Sequence, residues 1–236
     1  MVEWILMDLP FKFTPENEIE QWRHDTFWEK EPETLAWIRS FKDGDIFWDI
    51  GANIGIYSLY FAALFPQGIV CAFEPSMSNV QRLADLVSLN DFRNVLPIHM
   101  VIGNENKFVK WIDKDSRSGA TGGEFIDCTF LDEDKVPMST IDNLEKQGMI
   151  VPQHIKIDVD GGEYDIIEGG LYTFGNANLK SVLVELDPTC TNIPLVIKLM
   201  ELKGFTRNNE FNAMDNHSRY RRLRENILVE NMVFTK

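Results

Sequence analysis

The segment Trp48-Asp-Ile-Gly-Ala-Asn-Ile-Gly-Ile-Tyr57 constrains this chain more than any other. An apolar strand runs into a glycine turn and then straight into a helix. Gly51 permits the tight turn, and Gly55 lets the helix approach the sheet or a ligand closely. In sheets built this way, ligands sit outside the carboxyl ends of the strands, where strand order reverses. A second mark stands at Ala72-Phe-Glu-Pro75, where Glu74 ends the next strand, 23 residues after Gly51. A carboxylate about 20 residues beyond such a turn is placed to accept hydrogen bonds from ribose hydroxyls.

The turn is not the dinucleotide fingerprint G-x-G-x-x-G, because Asn53 holds its middle position and Asp49 ends the strand. A carboxylate at that point repels a pyrophosphate and attracts an ammonium group. S-adenosylmethionine is a nucleoside with a cationic amino-acid tail and no phosphate. In this reading Asp49 meets the ammonium, the backbone from Gly51 through Ala52 and Asn53 to Gly55 meets the tail, and Glu74 with Pro75 meets the ribose. Two alternatives stay open. One is a nicotinamide-dependent oxidoreductase on a Rossmann sheet, against which Asp49 and Asn53 argue. The other is a non-catalytic nucleoside-binding module.

From residue 45 onward, strands alternate with helices. Strands are read at 45–50, 68–73, 95–102, 154–159 and 179–186, and helices at 54–64, 76–89, 139–148, 163–174 and 193–203. Residues 205–236 read as two strands around a polar loop. This alternation predicts an α/β fold, a mostly parallel sheet with helices on both faces. Continuous apolar runs such as Val182-Leu-Val184 fit strands buried on both sides. Residues 1–43 hold four of the six tryptophans and read as an N-terminal helical cap. The main domain then covers 44–236, with 104–137 as an inserted hairpin or flap.

Composition narrows the partners. A chain of 236 residues, 44% hydrophobic and 25% charged, is that of an ordinary globular protein. A net charge of −14 excludes a generally basic nucleic-acid binder. Cys71, Cys128 and Cys190 are too few and too scattered for a disulfide framework and read as reduced thiols of a cytoplasmic protein. No targeting segment is read, and the longest uncharged apolar stretch, 54–65, is short of the roughly 20 residues a bilayer needs.

Asp49-Ile-Gly-Ala-Asn-Ile-Gly55, Phe73-Glu-Pro75, Thr140-Ile-Asp-Asn-Leu144, Lys156-Ile-Asp-Val-Asp-Gly-Gly-Glu163 and Val184-Glu-Leu186 follow one another in an order and spacing that resembles FkbM-type methyltransferases. The resemblance covers about residues 30–205. Its specific part is the 156–163 block; the glycine turn is shared by many class I methyltransferases. One departure stands out: Asp160 takes the place of the family's usual Glu, and Gly161-Gly162 that of a Gly followed by a small residue. The resemblance implies an S-adenosylmethionine-dependent methyltransferase with a Rossmann-like, seven-stranded sheet. Its usual reaction is O-methylation of a hydroxyl on a sugar or other natural product.

Alternation along a strand puts Lys156, Asp158 and Asp160 on one face. Methyl transfer to an alcohol gains from a base that takes the hydroxyl proton. Asp158 is the first candidate, with Lys156 as its partner. Glu163 is weighed between helix capping and chemistry. Asp158 and Glu185 end adjacent strands and Asp187 follows closely, and such oxygen ligands also suit Mg²⁺. His99, at the third strand, is placed to meet adenine. Trp111 and Phe108 stand in the flap, where an aromatic ring can stack on a sugar. Arg219, Arg221, Arg222 and Arg224 form a local basic run, read either as a solvated face or as a clamp for an anionic acceptor. The expected partner is a small hydroxyl-bearing molecule, sugar-like or anionic, without nucleic acid or membrane.

Overall fold

The computed structural model describes residues 9–129, 131–186, 192–215, 223–224, 227–228 and 230–236. The N-terminal segment forms α1 (Glu18–Asp25), α2 (Phe27–Lys30) and α3 (Pro32–Arg39). Asn17 caps α1 by accepting hydrogen bonds from the Ile19 and Glu20 amides. The alternating part follows as β1 (Ile46–Ile50), α4 (Ile56–Leu64), β2 (Ile69–Glu74), α5 (Met77–Leu89) and β3 (Val95–His99). Next come β4 (Val101–Ile102), β5 (Lys107–Asp113), β6 (Gly123–Asp127) and β7 (Val136–Ser139). The chain then runs through α6 (Ile141–Lys146), β8 (His154–Ile157), α7 (Glu163–Glu168), α8 (Leu171–Gly175), β9 (Ser181–Leu186), α9 (Ile193–Leu202), β10 (Thr206–Arg207) and α10 (Asn209–Asp215). It closes with β11 (Leu223–Arg224), β12 (Ile227–Leu228) and β13 (Glu230–Thr235).

Seven strands form the main sheet in the order β10-β13-β9-β8-β1-β2-β3. The five from β9 to β3 are parallel, and β13 runs antiparallel to β9. Strand order therefore reverses at β1, whose carboxyl end faces β2 on one side and β8 on the other. This is the α/β class and the seven-stranded, mostly parallel sheet that the alternation and the resemblance predict.

Side-chain alternation assigns the two faces. Phe47, Val70, Ala72, Leu183 and Val233 pack with α2 to α5 in one core, and Trp48, Ile50, Cys71, Phe73, Ile155, Val182 and Val184 in the other, with α6 to α9. Burial pushes the Cys71 thiol up to about 11, so it behaves as a small apolar residue. The tryptophan-rich preamble is part of the first core: Phe27, Leu35, Trp37, Ile38 and Phe41 pack there. Trp37 is fully buried and donates its indole N–H to Ser181 Oγ at 2.8 Å.

Three expectations are corrected. Residues 104–137 are more than a hairpin: β5 and β6 join β7 and β4 in a second sheet of order β4-β7-β5-β6. The strand read at 95–102 is two strands, which belong to different sheets. The helix read at 163–174 breaks into α7 and α8 at Gly169-Gly170, a pair of poor helix formers, and Gly169 lies so close to the Gly103 carbonyl oxygen that a Cβ there would stand 2.2 Å from it. Among the described residues, no helix is long and apolar enough to cross a membrane.

Candidate active site

Gly51 sits at φ +79, and a Cβ there would lie 2.0 Å from the Asp158 carbonyl oxygen. Only glycine fits, so the turn lies directly against the end of β8. The Gly51 and Ala52 amides donate to the Phe73 carbonyl at 2.9 and 3.0 Å, which ties the turn to β2. Asn53 is left-handed at φ 54, a conformation Asn tolerates. Its amide donates to Glu74 Oε2 at 2.8 Å, and its side chain donates to the Ala120 carbonyl at 2.6 Å. Gly55 serves the packing instead: a Cβ would meet Leu83 Cδ1 at 2.2 Å.

These residues floor an open cleft outside the carboxyl ends of the strands, the place where ligands bind in sheets of this kind. Gly51, Ala52, Asn53, Ile56 and Tyr57 form the floor, and Glu74, Pro75 and Asn79 one side. Lys156, Asp158, Val159 and Asp160 form the other side. Trp111, Asp113 and residues 120–123 form the roof, and Arg23 and Lys30 of the N-terminal helices complete the wall. The roof needs Gly123, because a Cβ there would lie 2.2 Å from Trp111 Cζ2. The roof loop is stitched down rather than loose. Asn17 donates to Ser118, Arg23 Nε to the Gly119 carbonyl at 2.7 Å, and the Gly119 amide to Asn79 Oδ1 at 2.9 Å. The exposed Phe108 is outside the lining.

Glu74 accepts from the Asn53 amide through one oxygen and from the Ser76 amide and Asn79 through the other. Burial pushes its carboxyl up to about 7 against those hydrogen bonds. Three other candidates stand off the cleft lining. Asp49 is fully buried and absent from the lining; Ser58 Oγ donates to its Oδ2 at 2.6 Å, and among the described residues Oδ1 has no hydrogen-bond partner. His99 lies outside the cleft, its Nε2 2.9 Å from the Pro75 carbonyl oxygen. Glu163 also lies outside it, and accepts the Gly161 amide at 3.1 Å at the start of α7, which is the capping role. Burial pushes Glu163 up to about 7.

The charged residues at the strand ends share the sheet face covered by the N-terminal helices. Lys156 is 1% exposed, and its Nζ lies 2.5 Å from Asp158 Oδ2 and 5.0 Å from the Tyr57 ring centre. Burial opposes its charge, but Asp158, Asp49 and Glu31 hold it up at about 12. Glu31, Asp158 and Glu185 each bring a carboxylate oxygen within 4.8 Å of the others. Glu185 is buried and joins this group from behind the cleft. An ammonium already paired with Asp158 supplies the positive charge here, so the group reads as an ion network rather than a magnesium centre. Asp187, Cys190 and Arg219 to Arg222 lie outside the described residues, as does the side chain of Arg224.

Sequence reasoning did not anticipate Glu31, Arg23, Lys30, Asn79 or Asp113. None belongs to a glycine motif, and only Asp113 ends a strand, β5 of the second sheet; only the aromatic density of the preamble pointed to a segment packed over a site.

A family model described as the methyltransferase FkbM domain matches residues 49–219. The chain belongs to the FkbM methyltransferase family. Membership makes it a methyltransferase that draws on S-adenosylmethionine, and the oxidoreductase alternative falls. The chain is similar to the hexuronic acid methyltransferase AglP of Haloferax volcanii, 24% identical over 181 residues, 74% of this chain and 70% of the relative. It is also similar to Methyltransferase 1 of Beauveria bassiana, 23% identical over 187 residues, 71% and 75% of the two chains. The fold matches that of an FkbM methyltransferase from Methylobacillus flagellatus at a TM-score of 0.58 and 14% identity, covering 92% of this chain and 52% of that one. It also matches S-adenosyl-L-methionine-bound fibrillarin of Aeropyrum pernix, at 0.51 and 11%, covering 89% and 76%.

Proposed function

We propose that this FkbM-family chain transfers a methyl group to a hydroxyl oxygen of a small, sugar-like acceptor. The observation that carries this reading is the cleft itself. One wall is the glycine turn with Glu74, the opposite one ends in Asp158, and the roof carries Trp111. The relative that acts on a hexuronic acid supports the acceptor class.

The residues suit S-adenosylmethionine. Gly51, Ala52 and Asn53 line the floor beside the strand ends, where the amino-acid tail lies against them. Glu74 Oε1 is filled by Ser76 and Asn79, whereas Oε2 accepts one bond and keeps acceptor capacity that serves a ribose hydroxyl. Three cations face four acids on the lining (Arg23, Lys30 and Lys156 against Glu74, Asp113, Asp158 and Asp160), and that excess suits a sulfonium. When bound, the donor supplies an electrophilic methyl group on that sulfonium. Asp49 acts from beneath, by holding the Lys156 ammonium, instead of touching the ligand. Asp158, with its side chain 19% exposed at the cleft, takes the hydroxyl proton, and Lys156 orients its carboxylate. Trp111 stacks on the acceptor ring and fixes its approach.

The test is transfer of labelled methyl to a panel of uronic acids and neutral hexoses. Trp111→Ala is expected to raise acceptor KM about tenfold, with S-adenosylhomocysteine affinity held within twofold. Asp158→Asn is expected to lower kcat by about 10² or more. Donor binding with no transfer to any hydroxyl acceptor would establish the non-catalytic module instead.

A further inference from the structure

The roof of the cleft is tied down from two sides. From the N-terminal helices, Asn17 donates to Ser118 and Arg23 to the Gly119 carbonyl. From the opposite side, two asparagines run between Glu74 and consecutive residues of the roof loop. Asn79, buried in the cleft wall, donates through Nδ2 to Glu74 Oε1 at 3.2 Å and accepts the Gly119 amide on Oδ1 at 2.9 Å. An amide can donate at one end and accept at the other, which a carboxylate cannot. Asn53 donates its backbone amide to Glu74 Oε2 at 2.8 Å and its side-chain Nδ2 to the Ala120 carbonyl at 2.6 Å. Its Oδ1 accepts the Ile54 amide, which fixes the side chain in that direction. Each oxygen of Glu74 thus has its own path to the roof. The loop ends at Gly123, which lies against the Trp111 ring, and Asp113 holds the indole N–H at 2.7 Å. A shift of the loop therefore moves the aromatic surface offered to an acceptor.

The Asn53 amide, the Ser76 amide and Asn79 all donate to Glu74, as a ribose hydroxyl on Oε2 would. Donors to a carboxylate favour its ionised form, which burial here opposes. The ribose and the asparagine tethers therefore reinforce one another, because each stabilises the charge that the other binds. We propose that Asn53 and Asn79 are positioning residues that couple the donor's ribose to the acceptor roof, so that residues 118–123 and Trp111 are fixed in register once the donor is bound. The proposal rests on the methyltransferase reading above and adds the order in which its cleft is completed. Anchoring both substrates to one carboxylate narrows the approach of the hydroxyl to the methyl group.

Amide hydrogen exchange over residues 118–123 tests the coupling, measured on the whole chain, free and saturated with S-adenosylhomocysteine. In the wild type, exchange is expected to slow about tenfold or more with ligand. 5′-Methylthioadenosine, which keeps the ribose and lacks the amino-acid tail, is expected to give most of this protection, and adenine less than twofold. Asn53→Gly suits the φ of 54 and keeps the backbone bond to Glu74 while deleting the tether to Ala120. In this variant and in Asn79→Ala, each at its own saturating ligand concentration, the free-to-bound ratio is expected to fall below threefold. Thermal melting confirms folding, and Asn53→Gly decides alone should Asn79→Ala not fold. A purely structural role would loosen the roof in the free and bound chains alike and leave the ratio at its wild-type value; that result in Asn53→Gly overturns the proposal. So does a wild-type chain that binds S-adenosylhomocysteine without protecting the roof, and the methyltransferase reading survives both outcomes. A chain that binds no S-adenosylhomocysteine removes that reading and the coupling with it.

Discussion

An alanine at Gly51 would drive its Cβ to 2.0 Å from a backbone oxygen of β8 while holding a left-handed φ. Neither cost can be relieved by a rotamer change, so Gly51→Ala should lose about 3–5 kcal/mol in chemical denaturation. Gly55→Ala meets the movable end of Leu83 instead, and the same measurement should show a smaller loss. Glu74 titrates near 7, and its ionised form is the better acceptor for ribose hydroxyls. S-adenosylhomocysteine binding should therefore tighten up to about tenfold from pH 6 to pH 8, and Glu74→Gln should flatten that profile. A calorimetric titration series checks it. His154 is buried among Phe41, Ser181 and Asp45, and burial depresses it to about 4 even though Asp45 favours its charge. The unfolded chain binds that proton near 6.5, so stability is lost as pH falls from 6.5 towards 4, by about 3 kcal/mol. Glu74 and Glu163, both raised to about 7, act in the opposite sense between 4.5 and 7. Comparing wild type with His154→Gln in denaturation curves at pH 7 and 4.5 isolates the histidine.

The elements show what a sequence reveals and what it hides. Strand β1 and the glycine turn were legible because apolar runs and positive-φ glycines are local signals. The ends of β2 and β8 were legible for the same reason, through Glu74 and the 156–163 block. For Asp49, sequence shows that a carboxylate ends a strand but not how deep that end is buried. Here Ser58, one turn into α4, takes one oxygen, and the lysine on the neighbouring strand supplies the opposing charge. Glu31 was invisible, since its partners Asp158 and Glu185 are more than a hundred residues away. Residues 104–137 were read only as an inserted hairpin or flap because the stitches to Asn17, Arg23 and Asn79 are likewise long-range. Tertiary contact, not local propensity, made the difference each time.

At the scale of the molecule, the N-terminal helices are a structural layer. Phe27, Leu35, Trp37, Ile38 and Phe41 fill the same core as Phe47, Phe61 and Val70. A chain begun at residue 44 would expose that aromatic surface, and stripped apolar patches of this kind associate. Such a truncation should be recovered mainly in aggregates, as size-exclusion chromatography would show; a monomeric, cooperatively melting product would contradict the layer. The net charge of −14 also gains a local meaning, because some of the acids sit at the strand ends inside the protein and not on its surface.

The ion network also bears on inheritance. Glu31 and Glu33 enter from the first forty residues, Lys156, Asp158 and Glu185 from the parallel strands, and Asn231 from the last strand, where it donates to Glu33 Oε1 at 2.7 Å. Buried charges cannot change one at a time without stranding a partner. The N-terminal helices are thus no portable module that recombination could trade between relatives. A chimera receiving foreign residues 1–43 alone inherits half of a lock, and only co-transfer of the three strand ends supplies the key.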